Sequence, residues 1–252
     1  MRHFGLNCGR YISIVLFCLV IEFVRASPSP SKRTCDNSKP ECLRKTLQKA
    51  LPNFMKGIPE LGVEVLDPFY IDKLEMVLAG GLKIQFLDGH SKGLRKCVVE
   101  KARVAHDVIE TQFLCNLTIK GKYKSIGRLL MFPINGDGDA AIRCKNLRIT
   151  QILKMRSVKG FGGTHLEIVN AQTNHSYDGQ IQYNLTNLIK GSPETSKILL
   201  DFMNQNWHLV AQEFGDPLID FGVKIILRNV KKLLSKVPMK QLFQTWEPVP
   251  PT

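Results

Sequence analysis

The chain of 252 residues has 35 Lys and Arg against 22 Asp and Glu, a formal charge of +13, and is 44% hydrophobic. This length fits one large domain or two small ones, with ample core. The sequence has neither a low-complexity linker nor a repeat of solenoid period, which excludes a tethered or solenoid architecture.

The N-terminus predicts a cleaved signal peptide over residues 1–26. Arg2 and Arg10 precede an apolar run from Ile12 to Val24 that Glu22 interrupts, and Ala26 fits a cleavage site. The run is too short to cross about 30 Å of hydrocarbon as a helix. We therefore expect a secreted protein consisting of a single domain, 27–252, whose formal charge is +11 because the peptide takes away three arginines and one glutamate.

Cysteine usage is consistent with export. Five cysteines remain after cleavage: Cys35, Cys42, Cys97, Cys115 and Cys144. Cys35 and Cys42 are close enough in sequence to form a disulfide in an oxidising compartment. Cys97 and Cys115 would face each other across a hairpin that turns near His106, so they either pair or remain buried thiols. No second cysteine pair or histidine cluster has metal-ligand spacing, so we expect neither a metal nor a cofactor.

Three tripeptides of the glycosylation pattern follow the predicted signal peptide, and they begin at Asn116, Asn174 and Asn184. Each would require an accessible asparagine on a secreted chain. We predict that this is a glycoprotein.

The first predicted element is a short helix from Leu43 to Pro52, followed by proline-marked turns. Residues 70–187 then show apolar and β-branched residues at a period near two, interrupted by glycine-containing turns. The predicted strands are 71–79, 82–87, 94–106, 109–120, 123–133, 140–149, 153–159, 165–173 and 177–185. Predicted turns include Lys120-Gly121-Lys122 and Asn135-Gly-Asp-Gly138. Short connections make neighbouring strands antiparallel, as in a meander or a strongly curved sheet.

Beyond residue 190 the period becomes helical. Ser192, Pro193 and Glu194 supply a cap, a first-turn proline and a first-turn carboxylate. Apolar residues recur at helical spacing as far as Val237, and Gly215 with Pro217 predicts a bend. The same segment has a basic stripe at four-residue spacing: Lys224, Arg228, Lys232, Lys236 and Lys240. The stripe is either a solvated face or a contact for an anionic membrane surface.

The sequence gives no sign of an enzyme. It lacks the Gly-x-Ser-x-Gly, His-Glu-x-x-His and P-loop patterns. Asn135 to Asp139 resembles the start of a calcium loop, but the twelfth position is Asn146 where glutamate is required, which favours a hairpin turn. Gly160 to Gly163 lacks the spacing of a dinucleotide fingerprint and does not open a helix.

Several segments, in this order and spacing, resemble the haemolymph juvenile hormone-binding protein/takeout family of insects. They are 43–68, then Gly121-Lys-Tyr123 with Gly127 to Ile134 and Gly136-Asp-Gly138, then Phe202 to Trp207 and Pro238 to Phe243. The resemblance implies an α+β fold in which an elongated, strongly curved antiparallel sheet wraps around a long C-terminal helix and leaves an internal hydrophobic tunnel. It also implies an N-terminal disulfide between Cys35 and Cys42.

The resemblance further implies a carrier for a small hydrophobic ligand, such as a juvenile-hormone-like terpenoid or a fatty acid. Large apolar side chains are the candidates to line the tunnel: Leu47, Leu51, Phe54, Phe69, Phe86, Phe113, Tyr123, Met131, Phe161, Phe202, Met203, Trp207 and Phe221. We expect a monomer that has no nucleic-acid partner and makes at most transient contact with a membrane surface or a receptor. The alternative is a secreted membrane-active or lipopolysaccharide-binding protein that acts through its basic surface.

Overall fold

The structure is a computed structural model that describes residues 39–243. The predicted signal peptide and Cys35 lie outside the described residues. The helices are α1 (Pro40–Met55), α2 (Pro193–Gln205), α3 (Trp207–Phe214), α4 (Asp216–Lys236) and α5 (Met239–Leu242). None of these helices is long and apolar enough to cross a membrane.

Eight strands form one open, curved, antiparallel sheet, which confirms the predicted fold class. They are β1 (Phe69–Val77), β2 (Lys83–Lys92), β3 (Val98–Ala105), β4 (Val108–Leu129), β5 (Phe132–Ile134), β6 (Asp137–Gly160), β7 (Gly163–Tyr177) and β8 (Ile181–Leu185). The central order is β1-β2-β4-β6-β7. The two long strands, β4 and β6, pair with each other. Along its other edge β4 pairs first with β3 and then with β2, and β6 pairs first with β8 and then with β7.

The turn predicted at Lys120-Gly121-Lys122 is wrong, because β4 runs through these residues without a break. A Cβ on Gly121 would lie 2.6 Å from Cζ of Phe86 and 2.8 Å from Cα of Gly89. The glycine therefore allows the ring of Phe86 and the β2 backbone to approach closely, and it does not turn the chain.

The hairpin turn predicted at Asn135-Gly-Asp-Gly138 is also wrong, because β6 already begins at Asp137. Strands β5 and β6 both run antiparallel to β4, so the chain keeps its direction between them. A Cβ on Gly136 would lie 2.8 Å from the Oγ of Ser125, and the Ser125 amide donates to the Gly136 carbonyl at 2.8 Å. The actual reversal occurs at Leu130-Met131, where Leu130 has a positive φ of 53°.

The C-terminal helical segment begins at Pro193, as predicted. It then breaks twice, at Asn206 and at Gly215. The break at Gly215 was predicted and the one at Asn206 was not. The side-chain amide of Asn206 donates to the Phe202 carbonyl at 2.9 Å, which satisfies one acceptor at the end of α2.

The buried apolar residues form three clusters. The first lies between the sheet and helices α2 to α4, and the second between α1 and strands β3 and β4. The third joins the end of α4 and α5 to strands β6 and β7.

Strand β8 pairs with β6 on one side and is covered on the other by α2. Asn204 of α2 accepts from the Tyr183 amide at 2.8 Å and donates to the Tyr183 carbonyl at 2.9 Å. One side chain thus satisfies both main-chain groups of Tyr183 at the sheet edge.

Candidate functional site

A cavity of about 260 Å³ lies between the sheet and the C-terminal helices. Strands β1, β2, β4, β6 and β8 supply one wall, and helices α2, α3 and α4 supply the other. Its volume is near the lower end of small-molecule sites, which span about 300–1,000 Å³. None of the side chains that line it within residues 39–243 carries a formal charge at neutral pH.

Five of the predicted lining residues do line this cavity: Phe69, Phe86, Tyr123, Met203 and Phe221. Phe69 and Phe221 meet edge to face, with ring centroids 6.2 Å apart, and join β1 to α4. Contact of these residues with a ligand remains a prediction.

Four others pack elsewhere. Leu47, Leu51 and Phe54 of α1 and Phe113 of β4 belong to the cluster beneath α1. Helix α1 covers β3 and its neighbours, and the apolar face of α1 packs against these strands. Phe202 and Trp207 pack around the cavity without lining it, and the Phe202 ring lies 5.0 Å from that of Phe132.

Met131 and Phe161 are corrections to the predicted set. Met131 is 79% exposed and Phe161 is 102% exposed. Both lie in two-residue turns, between β4 and β5 and between β6 and β7, where the chain leaves the face that packs against the helices. The prediction included them because it selected large apolar side chains, and residue type alone does not show which side chains are buried.

The prediction also missed much of the lining. Alternate residues of β6 and β8 face the cavity: Ala140, Ile142 and Cys144, and Ile181, Tyr183 and Leu185. The period-two alternation within each strand was the available signal, because alternate residues share a face of a sheet. Tyr177, at the end of β7, and the α4 residues near Gly215 also belong to the part of the wall that the prediction missed.

Three tyrosines bring hydroxyl groups to this apolar cavity, and one of them is satisfied. The Tyr123 hydroxyl donates to the Thr186 carbonyl at 2.8 Å. Burial, followed by the charge of Asp137, raises the pKa of Tyr123 to about 12. Tyr123 is therefore a neutral donor already engaged by the protein.

Tyr177, Tyr183 and Cys144 form a second polar group in the wall. Burial raises the pKa of the Cys144 thiol to about 11. Burial also raises the pKa of Tyr183, with smaller effects of Tyr177 and Cys144, and that of Tyr177, with smaller effects of Asp216 and Cys144. All three groups are neutral at physiological pH, and their mutual effects reflect their proximity.

The disulfide question left open for Cys97 and Cys115 is answered: they are bonded, with Cα atoms 4.4 Å apart. Cys144 is a free thiol. Cys42 is disulfide-bonded, but its predicted partner Cys35 lies outside the described residues, so the pairing remains a prediction. Asn116, Asn174 and Asn184 are all exposed, and their glycosylation remains a prediction.

The basic stripe is partly neutralised by a carboxylate. Arg228 and Lys232 of α4 both bind Glu64, at 2.6 Å and 2.7 Å. Hydrogen bonds from Lys232 and then Arg228 lower the pKa of Glu64 to about 2. Across residues 39–243, no group of three or more His, Cys, Asp or Glu residues is arranged to hold a metal ion.

Comparison with known proteins shows related sequences along most of the chain. The circadian clock-controlled protein daywake of Drosophila yakuba is 26% identical over 246 residues, covering 89% of this chain and 91% of its own length. The Drosophila melanogaster protein of that name is 26% identical over 232 residues, covering 86% and 88%.

The solved structure of Epiphyas postvittana Takeout 1 superposes with a TM-score of 0.80 at 33% identity, covering 84% of this chain and 99% of its own. The family described as haemolymph juvenile hormone binding protein matches residues 13–244. The chain therefore belongs to the haemolymph juvenile hormone binding protein family.

Proposed function

We propose that this protein is a secreted, non-catalytic carrier that holds one small hydrophobic molecule, a juvenile-hormone-like terpenoid or a fatty acid, in the cavity between the sheet and the helices. The observation that carries the proposal is the apolar, charge-free lining of that cavity. Transfer of a chain from water into it gains about 0.8 kcal/mol per methylene, before the cost of ordering the ligand.

Two features support secretion. The first 26 residues have the pattern of a signal peptide. The Cys97–Cys115 disulfide suits an oxidising compartment. The name of the matching family includes both haemolymph and juvenile hormone binding, in keeping with this function and this ligand class.

The test is native mass spectrometry of the secreted, deglycosylated protein, followed by solvent extraction of whatever is bound. We expect a stoichiometric terpenoid or acyl lipid. A Leu218→Trp variant fills the cavity from α4 and should lose that mass, whereas Leu209→Trp, on the exposed face of α3, should keep it. An empty wild-type protein that also fails to take up a hydrophobic fluorescent probe would exclude the carrier function.

The alternative function, action on anionic membranes through the basic stripe, is weakened by the ion pairs of Glu64, which engage two of the five basic residues. Sedimentation with phosphatidylserine vesicles, decreasing as salt rises, would favour it. A carrier should remain in the supernatant at physiological salt.

A further inference from the structure

We propose that Tyr177 and Tyr183, with the Cys144 thiol beside them, form a hydrogen-bond-donating subsite that receives a neutral carbonyl or ether oxygen of the ligand, so that the cavity prefers a neutral ester, ketone or ether to a free acid with the same chain. This inference rests on the proposed carrier function and narrows its ligand class.

The three polar side chains lie on strands β6, β7 and β8 of the sheet. Cys144 and Ile142 share a face of β6, and Ile142 pairs with Tyr183 of β8. Tyr177 ends β7 opposite Leu147 of the same β6 strand. All three polar side chains line the same cavity, and their strands β7 and β8 both pair with β6. They therefore form one polar spot on a mostly apolar wall, separate from the Tyr123 hydroxyl, which Thr186 already engages.

The hydroxyl groups of Tyr177 and Tyr183 have no hydrogen-bond acceptor within residues 39–243. Tyr183 is only 9% exposed, and Tyr177 is half-buried. In the part of the chain that the structure describes, no protein atom accepts a hydrogen bond from the hydroxyl of Tyr177 or Tyr183, in contrast to Tyr123, which donates to Thr186. A hydroxyl donor buried without an acceptor costs free energy, and an oxygen atom of a ligand removes that cost.

Gly215 leaves space for the Tyr177 hydroxyl. That hydroxyl reaches the break between α3 and α4, where a Cβ on Gly215 would lie only 2.0 Å away. Gly215 has an ordinary φ of −80°, so its backbone conformation does not require glycine. Glycine at this position makes room for the hydroxyl in the cavity wall.

The surroundings of this subsite disfavour a negatively charged ligand group. A carboxylate ligand at this subsite would be desolvated without a cation in the lining to compensate it. It would also face the negative field of Asp216, which already raises the pKa of Tyr177. The His175 ring lies 5.3 Å from the Tyr177 ring, and its Nε2 is engaged by the Asp216 carboxylate at 3.1 Å. A neutral oxygen avoids both penalties and still accepts a hydrogen bond.

The experiment is displacement of the neutral probe N-phenyl-1-naphthylamine from the full secreted protein by methyl laurate, lauric acid and dodecane at pH 7.4. We expect methyl laurate to bind at least about tenfold more tightly than laurate. The double variant Tyr177→Phe/Tyr183→Phe should bind the ester about fivefold more weakly or worse, because hydrogen bonds of this kind contribute about that factor, while its affinity for dodecane and the probe is unchanged.

A direct readout is the infrared carbonyl stretch of methyl laurate labelled with ¹³C at the carbonyl. The band should lie at lower frequency in the wild type than in the double variant. The matched control is Tyr70→Phe, because Tyr70 is 69% exposed on β1 and lies outside the cavity. It should leave both the affinities and the band position unchanged.

The outcomes separate the two proposals. A wild-type protein that takes up no probe overturns the carrier function itself. A protein that takes up the probe but binds laurate as tightly as its ester, or whose double variant keeps the wild-type affinity and band, remains a carrier and overturns the subsite.

Discussion

The ring of Phe86 lies against Gly121 so closely that a Cβ on residue 121 would be 2.6 Å from its Cζ atom. Phe86 projects from β2 into the cavity lining, and Gly121 belongs to the adjacent long strand β4. The absence of a side chain at residue 121 thus fixes the position of a large cavity residue.

The Gly121→Ala substitution should displace Phe86 and destabilise the protein by about 1–3 kcal/mol, the usual cost of overpacking. The measurement is urea unfolding followed by circular dichroism. The control is Gly222→Ala in α4, where a Cβ meets nothing within 4 Å. That change should stabilise the helix by up to about 1 kcal/mol. Equal stabilities of the two variants would refute this explanation of Gly121.

Met131 and Phe161 should be dispensable for both ligand binding and stability. Their side chains lie in exposed turns, so we expect Met131→Ser and Phe161→Ser to change the free energy of unfolding by less than about 0.5 kcal/mol. Phe86→Ala, by contrast, should cost about 3–5 kcal/mol, as for other buried aromatic residues. Thermal unfolding and probe uptake measure both effects, and loss of uptake in either serine variant would place that residue at the ligand after all.

Glu64 should make stability depend on pH in the acid range. Its pKa falls from 4.5 to about 2 in the folded protein through bonds from Lys232 and Arg228. A lowered folded-state pKa adds stability that is complete above about 4.5 and is lost as the pH falls towards 2. Because the Glu64 side chain is 42% exposed, solvent screening limits this contribution to less than about 1 kcal/mol.

Thermal unfolding of the wild type and a Glu64→Gln variant at pH 7 and pH 2.5 measures this dependence. The difference in Tm should be present at pH 7, shrink at pH 2.5 and decrease in high salt. Glu60, in the short 3₁₀-helix Pro59–Leu61, makes no ion pair within residues 39–243, so Glu60→Gln serves as the matched control. A Tm difference that grows on acidification would contradict the assigned ion pairs.

The Cys144 thiol should resist alkylation in the native protein. Burial raises its pKa to about 11, and the reactive thiolate is therefore scarce at pH 8. We expect iodoacetamide to modify it only after denaturation, as measured by the intact mass before and after guanidinium. A bound ligand should slow the reaction further, and rapid alkylation of the native protein at pH 8 would contradict its burial.

The sequence predicted those features that depend on local chemistry. Ser192-Pro193-Glu194 correctly marked the start of α2, and the period-two patterns correctly placed most of the sheet. Gly121 and Gly136 were misassigned as turns because their reason for being glycine is a contact with a distant strand, with Phe86 and Ser125 respectively. Such contacts are set by tertiary packing and leave no local pattern.

The cavity lining was likewise predictable only where a local sequence pattern indicates it. Residue size alone selected Phe69 and Phe221, which line the cavity, but also Met131 and Phe161, which are exposed outside it. Strand alternation would have found Ile142 and its neighbours. The break at Gly215 was predicted, but its close contact with the Tyr177 hydroxyl was not, because tertiary packing sets that contact.

The two bonds between Asn204 and the main chain of Tyr183 have a consequence for the protein in concentrated solution. An uncovered edge strand can recruit a strand from another copy, which is a common route to aggregation. The Asn204 amide occupies the donor and acceptor that such a strand would use at the centre of β8. At Tyr183, a side chain of α2 therefore occupies the two main-chain groups through which a strand of another copy would pair with β8.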